Sequence, residues 1–523
     1  MRPARIHTRS YVTTYSSTRY RDIKVQVRRV RLHELLKGLS IVSHKIITSD
    51  PSIKDYNPTT FNQWQLACIA LASILESDDH RKREMNDYRL EILANIYNAL
   101  SEDLKSGTDN EARGAYEFLV RLSHMQFPLQ LSSSRMMGRA LIMFHDIPKS
   151  IPHSSIDIPK AITEIYGMTV EDLLTVGVSL MICSKDEGYI NREMLENSTI
   201  PEVKAMIADG RFEKVMDHLS STYGDIRKFY DKNPLPKKFE HYAFNILKTK
   251  PVVISESGQE IVPMVPFLIE RTSMGIYYAL MDHFKEPRSN PFLTFFGKEI
   301  FEEYIGMQLE LFVPKKSLIS EFAYGSGSDL TTDWAILDGN RLILIECKTS
   351  GLTVEAKTYG NLDKINDELK LRVIHAIEQM LTLREKINKK QKGLERFFKV
   401  KKFHFVITTF DDFYLANAPF IRTMIEKHFV DKGTIIDFTY DVVTMSDIES
   451  LHAVGKKYNL MDLFDVKHTK QSWIDADMIF YLKEYLPKSD TPLLNEKNPL
   501  LEKRRDDYLA YFKQREAAGK KNS

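Results

Sequence analysis

Cysteine is scarce, with three in 523 residues, at Cys68, Cys183 and Cys347. Thiols so few and so scattered build neither a disulfide framework nor a zinc site, which excludes disulfide-stapled secreted scaffolds and suits a reducing compartment. Net charge is nearly absent: 73 Lys and Arg stand against 71 Asp and Glu. The chain therefore carries no global nucleic-acid signature, and any basic surface must be local. No apolar run approaches the roughly 18 residues of a membrane span, and the N-terminus lacks a signal-peptide apolar core. There is no Walker-type Gly-Lys-Ser and no repeat of fixed period. These absences predict a cytoplasmic protein that does not enter a membrane.

What is present is enough apolar residue, 43% of the chain, for real cores, and a length that implies about two to four domains. Residues 1–31 hold nine Arg or Lys against one Asp, a basic arm suited either to phosphate contacts or to docking on an acidic surface. Residues 32–249 are mainly helical in pattern, as in Trp64, Cys68, Leu71 and Ile74. Residues 250–291 change character. Pro251 to Ile254 and Ile261 to Leu268 predict a β-hairpin, followed by a helix near Gly275 to Phe284 and a linker from Lys285 to Pro291. The main domain boundary is expected there, with a second domain over 292–469 and a C-terminal helical extension over 470–523.

The second domain centres on Asp333 to Lys348. Two apolar runs, Trp334 to Leu337 and Leu342 to Ile345, flank Asp338-Gly339-Asn340-Arg341, a strong hairpin signal. A turn closing about Gly339 and Asn340 pairs position 333 with 346, placing Asp333 across from Glu346. Strand alternation puts Leu344, Glu346 and Lys348 on one side, and Ile343, Ile345 and Cys347 on the other. Both sides are apolar, so the hairpin is expected to be central and buried, where charges are costly unless paired or metal-bound. Asp and Glu oxygens are hard ligands suited to Mg²⁺, and a lysine beside them can stabilise charge developing on a phosphate. The backbone carbonyl of Cys347 is a further candidate ligand.

Around the hairpin, Phe292 to Leu311 predicts an amphipathic helix on which Glu302 shares the apolar face with Ile305 and Leu309. Ser317 to Tyr324 predicts a first strand. Asp329, in the glycine- and serine-rich loop, is a rival to Asp333 that lies beyond the hairpin's end. A long helix carries Leu362, Ile365, Leu369, Val373, Ile377 and Met380, with a polar stripe of Arg372, His375 and Gln379. Phe403 to Thr409 predicts a strand, Ala418 to Phe429 a helix stopped at Gly433, and Thr434 to Tyr440 another strand.

Asp333 with Glu346-Cys347-Lys348, in this order of elements, resembles the PD-(D/E)xK nuclease superfamily over roughly residues 292–445. Thr332 stands where the motif's name has Pro. The resemblance implies an α/β restriction-endonuclease-like core, a mixed central sheet flanked by helices, preceded by the large mainly helical N-terminal region. It implies catalytic Asp333, Glu346 and Lys348 and a Mg²⁺ site, with Mn²⁺ as a substitute, formed by Asp333, Glu346, Cys347 and Glu302. Gln379 would support the site. The expected activity is phosphodiester hydrolysis, with DNA favoured, in restriction or anti-phage defence. A homodimer, or a partner protein held through the helical regions, is left open.

Two other readings compete. One is a non-catalytic nucleic-acid-binding or scaffold subunit that keeps the nuclease fold. The other is a metal-independent ribonuclease: the spacing of Arg139 and His145 resembles the Arg-to-His motif of HEPN proteins, although Ala140 and Leu141 follow the arginine where that motif has a polar residue. His124 lies in the same helical region.

Overall fold

The computed structural model describes residues 19–48, 61–81, 83–100, 108–130, 132–151, 154–327, 329–349, 351–411 and 413–522. The protein is mixed α/β. Among the described residues, ten short strands fall among many helices: β1 (Ser220–Thr222), β2 (Val252–Ile254), β3 (Glu260–Ile261), β4 (Leu318–Ser320), β5 (Ala323–Tyr324), β6 (Asp329–Leu330), β7 (Trp334–Asp338), β8 (Arg341–Lys348), β9 (Lys402–Thr409) and β10 (Thr439–Thr444).

The turn chemistry sets the centre. Gly339 takes φ 64°, a left-handed backbone that a side chain would strain, and reverses the chain between β7 and β8. Their antiparallel register runs from Asp338 opposite Arg341 to Trp334 opposite Ile345, so one more step brings Asp333 opposite Glu346, as the hairpin predicts. The five-stranded sheet has the order β10-β9-β8-β7-β4. β8 lies in the middle, antiparallel to β7 and parallel to β9, and its residues from Leu342 to Cys347 are all buried.

The alternation along β8 divides two hydrophobic cores. Leu342 and Leu344 pack with Phe405, Ile407 and the apolar stripe Leu369, Val373 and Ile377. Ile343, Ile345 and Cys347 face Phe301, Ile305 and the larger helical core. Helices thus cover both sides, which is why the hairpin is apolar on both.

Close approach fixes one of those helices. Glu302–Leu309 continues a helix begun at Pro291 through a π-helical turn over Phe296–Phe301. Gly306 lies directly against the Trp334 indole, where a Cβ would overlap the ring, and Trp334 Nε1 donates to the Glu302 carbonyl at 2.8 Å. The first turn of this helix is thereby held beside the start of β7.

Three expected elements differ. The strand over Ser317 to Tyr324 is broken: β4 ends at Ser320, and β5 pairs instead with β6 in a separate two-stranded sheet. Glu321 N–H donates to the Asp333 carbonyl and Phe322 N–H to Thr331 Oγ1, which bends the chain between the two pieces. The strand expected over Thr434 to Tyr440 lies later, at β10. The expected strand stops before Asp441, which is buried mid-strand with Lys467 and His468 each at 2.8 Å. The hairpin over 251–268 is short, because Val265–Thr272 is a helix with Pro266 in its first turn, where a missing N–H costs nothing.

Apolar packing runs across 285–291: the Tyr277 ring lies 4.8 Å from Phe296 and 4.7 Å from Phe410. Of the basic arm, residues 1–18 lie outside the described residues, while Tyr20–Val27 is a helix that buries Ile23 and Val27. At the other end, the helix Pro499–Asn522 packs on Ser133–Leu141, where the Leu501 backbone sits against Gly138. No single helix among the described residues is long and apolar enough to cross a membrane.

Candidate active site

Glu346 and Lys348 leave β8 on the same side, as alternation requires, and Lys348 Nζ donates to Glu346 Oε2 at 2.8 Å. Asp333 sits one residue before β7, and its Oδ2 accepts the Cys347 N–H at 2.7 Å. That hydrogen bond ties the start of β7 to the end of β8. Glu302 arrives from the neighbouring helix, and Lys298, one turn earlier, donates to its Oε2 at 2.9 Å. Gln379 Oε1 accepts from Lys348 Nζ at 3.3 Å. The five side-chain positions expected to form or support a site, at 302, 333, 346, 348 and 379, are thus gathered at one end of the central strand.

Two participants are absent from the sequence reading. Lys298 also donates to Glu321 Oε2 at 2.5 Å, so a fourth carboxylate joins the cluster. Lys298 precedes Glu302 by one helical turn, a spacing that marks an ion pair. Glu321 had no such signal, since it reaches the cluster through the break after β4.

The electrostatics are those of acids held out of water and close together. Burial, then the charge of Asp333, pushes the Glu302 carboxyl up to about 8. The same two causes push Glu346 up to about 7. Burial raises Asp333 as well, against the opposing pull of the Cys347 amide and the two lysines. For Lys348, burial works to lower the pKa, but the Glu346 carboxylate outweighs it and the ammonium is held above its ordinary range. Four carboxylates therefore face two ammonium groups, a surplus of negative charge when all are ionised.

Among the described residues, no group of three or more His, Cys, Asp or Glu side chains is placed to hold a metal ion. The acids most closely joined through the hairpin are a pair, Asp333 and Glu346. The Cys347 thiol is buried on the opposite side of the strand, with its pKa driven up by burial.

The other candidates lie elsewhere. Asp329 pairs with Lys386 at 2.7 Å. Arg372 pairs with Glu368 along its own helix, and His375 is exposed. Arg139 is buried, with Nε donating to Glu449 Oε1 at 2.6 Å, and Glu449 also accepts from the Tyr304 hydroxyl. His145 belongs to a different network, with Asp146, Glu171 and Arg504. His124 bonds the Val120 carbonyl through Nδ1.

Fold and site together define a mixed α/β protein with a buried acid and amine cluster at the end of its central strand. No family model matches the chain, and no curated protein matches it.

Proposed function

We propose that the chain is a Mg²⁺-dependent nuclease that hydrolyses phosphodiester bonds, with DNA as the favoured substrate. The observation that carries this reading is the hairpin register, which runs to Trp334 opposite Ile345 with Asp333 and Glu346 one step beyond, together with Asp333 Oδ2 on the Cys347 N–H at 2.7 Å and Lys348 held 2.8 Å from Glu346 on the same face. Three charged groups at the end of a buried strand have no structural advantage over apolar residues there. Their arrangement is in keeping with a PD-(D/E)xK core, as is the order of helix, strand, hairpin, helix, strand, helix and strand from Pro291 to Thr444.

The donor set fits the ion. Mg²⁺ takes one or two carboxylates and completes its shell with water and phosphate oxygen, so Asp333 and Glu346 would suffice. The Cys347 carbonyl and Glu302 would be further ligands, and the excess negative charge of the cluster is what a divalent cation offsets. Bound there, Mg²⁺ or Mn²⁺ would supply Lewis acidity and a lowered water pKa. Lys348, oriented by Glu346 and Gln379, would neutralise charge developing on the scissile phosphate. Lys298 would keep Glu302 turned toward the acids. By analogy alone, a large helical region joined to such a core suits restriction or anti-phage defence.

The test is incubation of the purified protein with plasmid DNA and with RNA, in Mg²⁺, Mn²⁺ or EDTA, beside Asp333→Ala, Glu346→Ala and Lys348→Ala. The reading expects cleavage that needs the metal and is lost in all three variants. Cleavage of RNA that survives EDTA and all three substitutions would overturn it.

A further inference from the structure

A cavity of about 440 Å³ lies between the N-terminal helices and the helix Val354–Tyr359, outside the acid cluster. Its size is that of small-molecule sites. Its walls carry three kinds of chemistry. Trp64, Tyr242 and Tyr278 offer aromatic surface, Arg121, Lys248 and Lys357 offer positive charge, and Glu270 and Asp282 offer carboxylates.

Aromatic faces hold two of these cations. Arg121 stacks its guanidinium 4.4 Å from the Phe239 ring centroid and bonds the Tyr359 carbonyl. Lys248 lies half-buried over the Phe267 ring and makes no ion pair among the described residues. Nε of Arg271, on the same lining, is buried with no hydrogen-bond partner. Lys357 pairs with Asp411 at 2.5 Å, and the same carboxylate feels the charge of Lys248. One carboxylate thus faces two ammonium groups, and a half-buried positive excess of this kind is costly unless a further anion offsets it.

We propose that this cavity is a binding site for a nucleoside phosphate. Aromatic walls suit a base, which stacks on them at little cost in selectivity. Carboxylates suit the paired hydroxyls of a ribose, and Lys248 with Arg271 suits the phosphate. No one of these features selects the class; their combination in one cavity does. The proposal does not depend on the nuclease reading, because none of the acid cluster lines the cavity. The wall nevertheless reaches toward that cluster: the Asp411 carboxylate that holds Lys357 lies against Gly351, three residues beyond Lys348.

The test is calorimetric titration of the full chain with AMP, ATP, adenosine and pyrophosphate, together with tryptophan fluorescence. AMP or ATP is expected to bind saturably and to quench emission, and Trp64→Phe to abolish the quenching while calorimetric binding persists. Lys248→Glu is expected to weaken binding by at least about tenfold, since a charge-assisted bond is lost. Lys248→Met keeps the stem over Phe267 and should show the same direction of change if the glutamate variant folds poorly. Three outcomes would overturn the proposal. These are no saturable binding of either nucleotide up to about 1 mM, unchanged affinity in both Lys248 variants, or pyrophosphate binding as tightly as AMP.

Discussion

The ammonium of Lys348 lies 2.8 Å from the carboxylate of Glu346, two residues earlier on one strand and on one face of it. Each holds the other in a charged form that burial opposes. Removing either leaves its partner buried and uncompensated. Lys348→Met is therefore expected to raise the Glu346 pKa further and, on the nuclease reading, to lower the cleavage rate by about 100-fold or more. A pH titration of Glu346 by carboxylate-labelled NMR checks the first effect, and single-turnover cleavage the second. An unmoved Glu346 would contradict the assignment of their pairing.

The raised carboxyls make a signed prediction for stability against pH. Glu302 titrates at about 8 when folded and near its ordinary 4.5 when unfolded. Between these values the folded state binds the extra proton, so stability falls as pH rises through the window. Glu302→Gln removes that term. The variant should match wild type near pH 5 and gain in relative melting temperature as pH approaches 8 and above. Melting curves at both pH values, in EDTA, check it, and a difference that shrinks with rising pH would refute the direction.

Mg²⁺ should oppose the same destabilisation. A cation that binds only the folded chain adds stability by mass action, and its ligands must be deprotonated. The expected result is a melting-temperature rise with Mg²⁺ that is larger at pH 8 than at pH 6 and is lost in Asp333→Asn/Glu346→Gln. Equal rises in wild type and double variant would place the ion somewhere else.

Gly306→Ala puts a methyl group into the Trp334 indole. Overpacking of this kind costs about 1–3 kcal/mol. Because Trp334 Nε1 holds the Glu302 carbonyl, the substitution should also disturb the acid cluster. Chemical denaturation measures the cost, and a loss of the Glu302 contribution to the pH dependence measures the displacement.

Arg139→Met leaves Glu449 buried with its principal cation gone. Breaking such a pair costs about 3–5 kcal/mol. The expected phenotype is a lower melting temperature with metal-dependent cleavage retained below it. Selective loss of RNA cleavage in a fully stable variant would instead favour the HEPN-like reading.

The hairpin was legible in the sequence because its determinants are local. Asp338-Gly339-Asn340-Arg341 fixes the turn, the turn fixes the register, and the register puts Asp333 opposite Glu346. Glu302 was legible through helical spacing, although the π-helical turn just before it, over Phe296–Phe301, was not. Gln379 could be named from its stripe, but its contact with Lys348 depends on how the helix lies on the sheet. Glu321 could not be found, because a break in the chain carries it to Lys298. The run of β10 past Tyr440 to Thr444 was not legible, because the Lys467 and His468 that neutralise the buried Asp441 come from a helix end distant in sequence.

β8 is bonded along its length to β7 on one side and β9 on the other. Its amides from Leu342 to Glu346 should therefore exchange with solvent only when the whole sheet opens. Glu302 and Gln379 stand on helices that merely rest against it. Any motion that pulls the acid cluster apart without melting the protein will then be a motion of those helices, because the strand itself has no smaller way to give.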